Sequence, residues 1–138
     1  MTRNMNDLIG KIEKIAEKYK IEVLLSSTVG EAGEQAHTLM WLLSHGFECE
    51  LERELHGLVD KVAFVFSKPT IKEQLAEIIP RHKLVKDIEI VFVWNNLETA
   101  VMVTVRFEGI LEWSDEHRVW KLTVGKPQII KSIPLRVG

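Results

Sequence analysis

The 138-residue chain is 46% hydrophobic and 28% charged, a balance typical of a globular protein. A chain of this length can bury roughly two thirds of its unfolded surface, so we expect one domain spanning residues 1–138. Its formal net charge is −2, and the lysines and arginines are interleaved with glutamates. Such a distribution provides no field that would gather a polyanion, which argues against a nucleic-acid partner.

Cysteine content and hydropathy argue against a disulfide-bonded, zinc-binding, secreted or membrane-spanning protein. Cys49 is the only cysteine, so the chain cannot form an internal disulfide, and no Cys/His spacing typical of a zinc site occurs. The first residues lack the apolar core of a signal peptide, and no apolar run approaches the length of a membrane span. We therefore expect a cytoplasmic protein without a membrane segment, a metal or another cofactor.

The N-terminal segment, residues 6–19, repeats apolar side chains at helical spacing, with lysines and glutamates between them. This pattern predicts an amphipathic helix capped by Asn6 or Asp7. The apolar stripe consists of Leu8, Ile12, Ile15, Ala16 and Tyr19. The next apolar run, residues 21–25, is too short for its periodicity to distinguish a strand from a helical turn.

A second helix is predicted from about Gly30 to Ser44. Thr28 and Glu31 have the spacing of a capping box, in which the two side chains satisfy free amides at a helix start. Gly46 is placed to end this helix. The buried positions would be Ala32, Ala36, Leu39, Met40 and Leu43.

Residues 47–66 alternate between apolar and polar side chains and favour a β-hairpin. Residues 47–55 would form a strand with an acidic face, His56-Gly57 the turn, and residues 59–66 a more buried strand. The alternative, a helix whose apolar side carries Leu51, Leu55 and Leu58, stays open.

A third helix is predicted to begin around Pro69, with Ile71, Leu75, Ile78 and Ile79 on its apolar side. Pro80 and the basic run at residues 81–83 would close it, because the C-terminal end of a helix favours cations.

Three or four consecutive strands are predicted between Asp87 and Leu135. Alternation in the first places one set of side chains on the core side: Ile88, Ile90, Phe92 and Trp94. After an Asn95-Asn96 turn, the second strand repeats the pattern with Thr99, Val101, Val103, Val105 and Phe107. With no helix pattern between them, these segments predict an antiparallel meander.

The remaining strands follow two further connections. Gly109 and the charged Ser114-Asp115-Glu116 segment mark the first connection, and Gly125-Lys126-Pro127 marks the second. Between them, Trp120, Leu122 and Val124 alternate with polar or smaller residues. A last run reaches Leu135 and contains Pro134, which an edge strand tolerates.

The order of elements predicts an α+β fold, with N-terminal helices packed on a curved, mainly antiparallel sheet. This order resembles that of the nuclear transport factor 2-like superfamily, which includes ketosteroid isomerase and the SnoaL-like proteins. Members of this superfamily share a cystatin-like fold in which a curved sheet forms a cone. Residues 119–126, followed by Gln128-Ile129-Ile130, resemble the closing pair of strands in that superfamily. The resemblance implies a pocket between the helices and the concave side of the sheet.

Ketosteroid isomerase-like enzymes use a carboxylate as a proton shuttle opposite hydrogen-bond donors. The candidates here are Asp60 as the base, with His56 beside it and Tyr19 as a donor. Each also has a structural interpretation, since Asp60 could be an exposed residue paired with Lys61. Likewise, Tyr19 could pack its ring and expose its hydroxyl.

The aromatic and aliphatic side chains predicted inside the cone are candidates for contact with a small apolar ligand: Trp94, Trp120, Phe92 and Val103. The competing interpretation is that they fill the core.

Other motifs favour local structural roles. The Glu34 to His37 spacing resembles half of a di-iron site but has no second copy, and Asp115-Glu116-His117 is best explained as a solvated turn. The Ser26 to Gly30 segment could bind an anion at a helix start, although Glu31 and Glu34 would repel it.

The opposite face of the sheet would carry Val91, Val93, Ala100 and Met102, which is more apolar than a solvated face requires. We therefore expect a homodimer formed through the sheet. Two functions are compatible with the sequence. The first is a non-catalytic domain that binds a small molecule or another protein, and the alternative is a small isomerase or dehydratase that uses acid and base groups.

Overall fold

Within the part of the chain that the structure describes, the elements run helix, strand, helix and then five strands. A computed structural model describes residues 5–57, 59–65, 81–94 and 99–136. The helices are α1 (Met5–Ala16) and α2 (Val29–Leu55), with a short 3-10 helix (Glu17–Tyr19) after α1. The strands are β1 (Ile21–Leu24), β2 (Val59–Val65), β3 (Arg81–Trp94), β4 (Thr99–Ser114), β5 (Val119–Val124) and β6 (Gln128–Arg136). The helix predicted at Pro69 to Pro80 and the Asn95-Asn96 turn lie outside the described residues.

The first predicted helix is confirmed, but Asn6 and Asp7 lie inside it rather than at its cap, and its α-helical part ends at Ala16. α1 buries the predicted stripe, with Leu8, Ile12, Ile15 and Ala16 in the core. The ambiguous run that follows forms strand β1, which pairs antiparallel with β5 from Ile21 opposite Val124. Pairing along an existing sheet edge supplies the hydrogen bonds that a five-residue segment could not make alone.

Helix α2 is longer than predicted, because it continues through Gly46 to Leu55. The predicted strand at residues 47–55 and the predicted stop at Gly46 are therefore wrong, and the helical alternative is correct as far as Leu55. The segment alternates for nine residues, but Phe47, Leu51 and Leu55 also recur every four residues and are fully buried. Burial of that stripe decides between two periodicities that the local sequence permits equally.

The start of α2 is where the sequence places it, but the predicted capping box does not form. Thr28 is the N-cap in an extended conformation, and its side chain makes no capping hydrogen bond. Instead the Ser26 hydroxyl donates to Glu31 Oε2 at 2.8 Å, and the Ser26 amide donates to Gln35 Oε1 at 2.9 Å. The Thr28 amide, which a capping box would direct to the Glu31 carboxylate, instead donates to Ser26 Oγ at 3.2 Å.

All strand pairs in the sheet are antiparallel, in the order β1-β5-β4-β3-β2, with β6 also paired to β4. With the two helices on one side, this confirms the α+β class. Two boundaries need correction. Residues 81–83 begin strand β3 rather than ending a helix, and β4 runs through Gly109 as far as Ser114.

Strand β4 organises the sheet. One of its edges pairs with β3 from Ala100 to Glu112, while the other pairs with β6 in its first half and β5 in its second. The register with β6 shifts between Thr104 and Val105, where an irregularity interrupts the ladder. Because β6 lies beside β4 and not beside β5, the last strand departs from the predicted simple meander.

The predicted inner faces of the two long strands are confirmed. The described side chains on this side are buried: Ile88, Ile90, Phe92, Val101, Val103, Val105 and Phe107. Both helices contribute to the same hydrophobic core. At its centre, the rings of Tyr19, Phe47 and Phe107 meet edge to face at centroid separations of 5.3 to 6.4 Å.

Gly109 lets α2 approach the sheet closely. A Cβ atom at this position would lie 3.0 Å from Met40 Sδ and 3.1 Å from Leu122 Cδ1. Met40 and Leu122 are both buried, so neither side chain has much room to move away. A glycine in the middle of a strand therefore marks the helix crossing rather than a turn.

We predict that Gly46→Ala stabilises the protein by about 0.5–1 kcal/mol, because alanine is the better residue inside a helix. The added Cβ would lie 3.6 Å from Tyr19 Cε1, an ordinary contact distance. Gly57→Ala is the matched control and should cost about 1 kcal/mol, since Gly57 has a φ of 89°. Urea denaturation of both variants measures the difference. Loss of stability in Gly46→Ala would contradict a continuous helix.

Candidate functional site

Tyr19, a predicted catalytic donor, lies at the end of the 3-10 helix, against α2. Its ring packs on Phe47, and its hydroxyl donates a hydrogen bond to Glu50 Oε1 at 2.7 Å. Burial, together with the Glu50 carboxylate, raises the pKa of the Tyr19 phenol well above its usual range. The hydroxyl is therefore a hydrogen-bond donor fixed on Glu50, and it stays protonated near neutral pH.

Glu50 is the acceptor in this network and carries the opposite shift. Hydrogen bonds from Lys18 and Tyr19 lower its pKa below the usual value for a glutamate. Its side chain is only 12% exposed, whereas the Lys18 side chain is 64% exposed and covers the carboxylate from outside. The three residues fix the 3-10 helix after α1 to the C-terminal part of α2. Sequence reasoning missed Glu50 because it assigned this residue to a strand.

His56 follows the last turn of α2 as its C-cap and is exposed. It borders an open surface depression together with Cys49, Glu52 and Arg53. Six residues separate His56 from Glu50, which corresponds to about 9 Å along the helix axis. At 3.6 residues per turn, Glu50 and His56 also point about 120° apart around α2, so the structure does not bring Tyr19 and His56 together on one surface of the helix.

Asp60 lies in strand β2, where the register with β3 shifts between Val59 and Lys61. Its side chain is outside the part of the structure that is described. The strand prediction for residues 59–65 is confirmed, and the catalytic role of Asp60 stays a prediction.

The predicted ligand-contacting residues occupy different environments. Phe92 and Val103 are almost completely buried and belong to the hydrophobic core. Trp120 is half-buried, and its ring centroid lies 5.7 Å from those of both His82 and Trp113. Trp94 ends strand β3, and its side chain is outside the described part. Phe92 and Val103 could therefore touch a ligand only if the core around them rearranged.

A second polar network, which the sequence did not indicate, anchors α2 to strand β3. The fully buried Ser44 hydroxyl donates to the Trp41 carbonyl at 2.9 Å and accepts from Lys86 Nζ at 2.6 Å. Burial raises the pKa of nearby Glu48, which Lys86 partly offsets. Since the hydroxyl hydrogen already bonds to a helix carbonyl, this serine is not arranged as a nucleophile activated by lysine.

The outward surface of α2 carries large apolar side chains. Trp41 is 54% exposed and Leu42 is 52% exposed, and the Trp41 ring stacks on His45 at 5.0 Å. One turn further on, Cys49 Sγ lies 3.8 Å from His45 Nε2. Cys49 can lie beside His45 only because residues 47–55 continue the helix. The predicted hairpin placed Cys49 in a strand, so it did not indicate this surface.

The outer face of the sheet divides into a polar and an apolar half. In the polar half, Arg106 contacts Asp87 at 2.8 Å and Lys83 contacts Glu108 at 3.0 Å. The apolar half lies toward the end of β3 and the start of β4, where Ala100 is buried and three neighbours are half-buried: Val91, Val93 and Met102. Strands β2 and β6 border this half.

Within the described ranges, no group of three or more His, Cys, Asp or Glu side chains is arranged to hold a metal ion. The Asp115-Glu116-His117 segment forms a turn, in which Ser114 Oγ accepts from the His117 amide at 3.3 Å. Over the same ranges, no helix combines the length and apolar character needed to cross a bilayer.

Comparison with protein-family models, curated proteins and solved structures finds no match to this chain. The nuclear transport factor 2-like resemblance therefore stays a prediction.

We predict that the Tyr19 phenol stays protonated at pH 10.0, the usual pKa of a tyrosine. Tyr19 is the only tyrosine, so the ultraviolet absorbance of tyrosinate reports this residue alone. Glu50→Gln should lower the apparent pKa, because the variant removes the negative charge beside the phenol. Glu52→Gln, an exposed change on the same helix, is the control. Identical titration curves for all three proteins would refute the coupling.

The lowered pKa of Glu50 also predicts how stability depends on pH. A carboxyl group whose pKa is lower in the folded state adds stability above its unfolded pKa, and this is lost as the pH falls through the folded value. Below about pH 5, the free energy of unfolding of the wild type should therefore fall more steeply than that of Glu50→Gln. Urea denaturation across this range tests the slope, and parallel curves would count against the network.

Proposed function

We propose that this chain is a non-catalytic protein-interaction domain that forms a homodimer through the apolar half of its outer sheet face. The observation that carries the proposal is the division of that face. Met102, Val91 and Val93 share one end, while the charge pairs of Asp87 and Glu108 lie toward the other. A solvated sheet face would alternate apolar-in and polar-out along its whole length.

The position of the helices supports this interface. Among the described residues, α1 and α2 contribute to the core on the inner face. Val91 pairs with Met102 and Val93 with Ala100 across two central strands, so the apolar half is continuous. A stable dimer buries about 800 Å² on each partner, and self-association about a two-fold axis presents the same patch twice.

Two features weigh against the isomerase. Tyr19 is predicted as a hydrogen-bond donor to a substrate, but its hydroxyl already donates to Glu50 Oε1 at 2.7 Å. A general base works best with a pKa near the operating pH, and the hydrogen bonds to Glu50 lower the pKa of this carboxyl group further from neutrality. The pair is suited to a permanent hydrogen bond rather than to proton exchange with a substrate.

The small-molecule pocket receives less support than the dimer. Phe47, Phe92 and Phe107 have no exposed surface, and all three belong to the hydrophobic core. A ligand seated against Phe92 or Val103 would have to displace packed side chains, at the cost of the contacts that they make. Protein interaction through an existing surface requires no such rearrangement.

Replacing Met102 with lysine should dissociate the dimer, because two buried ammonium groups would face each other across the two-fold axis. We expect the dissociation constant to rise about tenfold or more. Sedimentation velocity at micromolar protein concentration measures this change. Thr123→Lys is the matched control, since Thr123 is a half-buried residue of β5 on the opposite side from Leu122 and Val124.

Circular dichroism would establish that both variants fold. A wild-type chain that sediments only as a monomer contradicts the proposal, and so does a dimer that Met102→Lys leaves intact. Dissociation by Thr123→Lys alone would move the interface to the other half of the sheet.

A further inference from the structure

Helix α2 presents a continuous outward seam that differs from the buried stripe on its inner side. Eight exposed residues follow the spacing at which helices meet: Glu31, Glu34, Thr38, Trp41, Leu42, His45, Cys49 and Glu52. We call these residues the α2 seam. A seam of this kind allows a second helix to lie alongside α2.

The chemistry of the α2 seam changes along its length. Its centre is apolar, formed by Trp41 with His45 stacked on it and by Leu42 beside it. Both of its ends are acidic, with Glu31 and Glu34 at the first end and Glu52 at the other. On a helix axis, Trp41 lies about 15 Å from Glu31 and about 16 Å from Glu52.

The charge of α2 as a whole is also negative. The helix contains six glutamates and one arginine, Arg53. His37 adds no compensating charge near neutral pH, because burial lowers its pKa. Lys18 already binds Glu50, and Lys86 binds Ser44 and lies close to Glu48. The ends of the seam therefore provide a negative field around an apolar centre.

From this complementarity we infer that the α2 seam docks a basic amphipathic helix of a partner protein. Apolar side chains in the middle of that helix would cover Trp41 and Leu42. Lysine or arginine residues about 15 Å to either side would meet the glutamates. Burial of an exposed tryptophan would supply most of the affinity, since tryptophan is enriched among residues that dominate interfaces.

This surface is separate from the dimer interface proposed above. The α2 seam lies on the outward side of the helix layer, whereas Met102 lies on the opposite face of the sheet. Loss of one interface is therefore not expected to remove the other.

The test uses a fluorescent synthetic helix of about 22 residues, with leucines at its centre and lysines at both ends. Fluorescence anisotropy should show saturable binding to the full chain that weakens as salt rises. Trp41→Ala should weaken binding about tenfold or more, and Glu34→Lys with Glu52→Lys should weaken it further. A peptide with glutamate in place of every lysine should not bind.

Leu24→Ala is the matched control, because Leu24 is 46% exposed but lies on strand β1. This variant, and Met102→Lys, should bind the basic peptide like the wild type. Equal binding of the acidic peptide, normal binding by Trp41→Ala, or no saturable binding would each overturn the inference. Dissociation of the dimer by Trp41→Ala would also overturn it, because the occupant of the seam would then be a second copy of this chain.

Discussion

The packing of α2 across the sheet is the constraint on which the rest of the structure depends. Gly109 removes the side chain that would stand between Met40 and Leu122, and Phe47 then reaches Phe107 at a centroid distance of 5.3 Å. With the helix seated this closely, large side chains fill the space between the layers. Close packing of this kind stabilises the fold through many contacts and leaves the described inner face to the core.

The same packing determines what the polar groups can do. Ser44, buried at the contact with β3, bonds to a helix carbonyl and to Lys86, so the helix is held at this crossing by a satisfied hydroxyl. At the other side, Glu50 accepts from both Lys18 and Tyr19. These hydrogen bonds stabilise the ionised carboxylate of Glu50 and the protonated phenol of Tyr19, so the two groups link the 3-10 helix to α2. A reaction that moved a proton to or from either group would have to break these hydrogen bonds.

Sequence periodicity predicted the secondary structure correctly where the pattern of apolar residues was compatible with a strand and incompatible with a helix. The alternating residues of β3 and β4 predicted their buried faces, because no helix could place Ile88, Ile90 and Phe92 on one side. It failed at residues 47–55, where nearly strict alternation and a four-residue repeat coexist. The residue that Phe47 packs against, Phe107, lies sixty residues away in the sequence. Glu50 was missed as a site residue for the same reason. Gly46 and Gly109 were both interpreted as breaks, although the first lies inside α2 and the second admits Met40. A glycine needed for close approach cannot be distinguished from a turn glycine until the neighbouring element is known.

The two surfaces proposed for interaction follow from the division of the fold into layers. A helix placed over a sheet buries one side of each, so among the described residues the far side of the sheet and the outward side of the helix are the surfaces available to other molecules. Their chemistry differs. The sheet surface pairs an apolar half with neutralised charge pairs, Arg106 with Asp87 and Lys83 with Glu108, which suits contact with an identical surface. The helix surface carries acidic ends around Trp41, and a second copy would bring like charges together if it docked there. This difference in charge is why we propose self-association through the sheet and a different, basic partner for the helix.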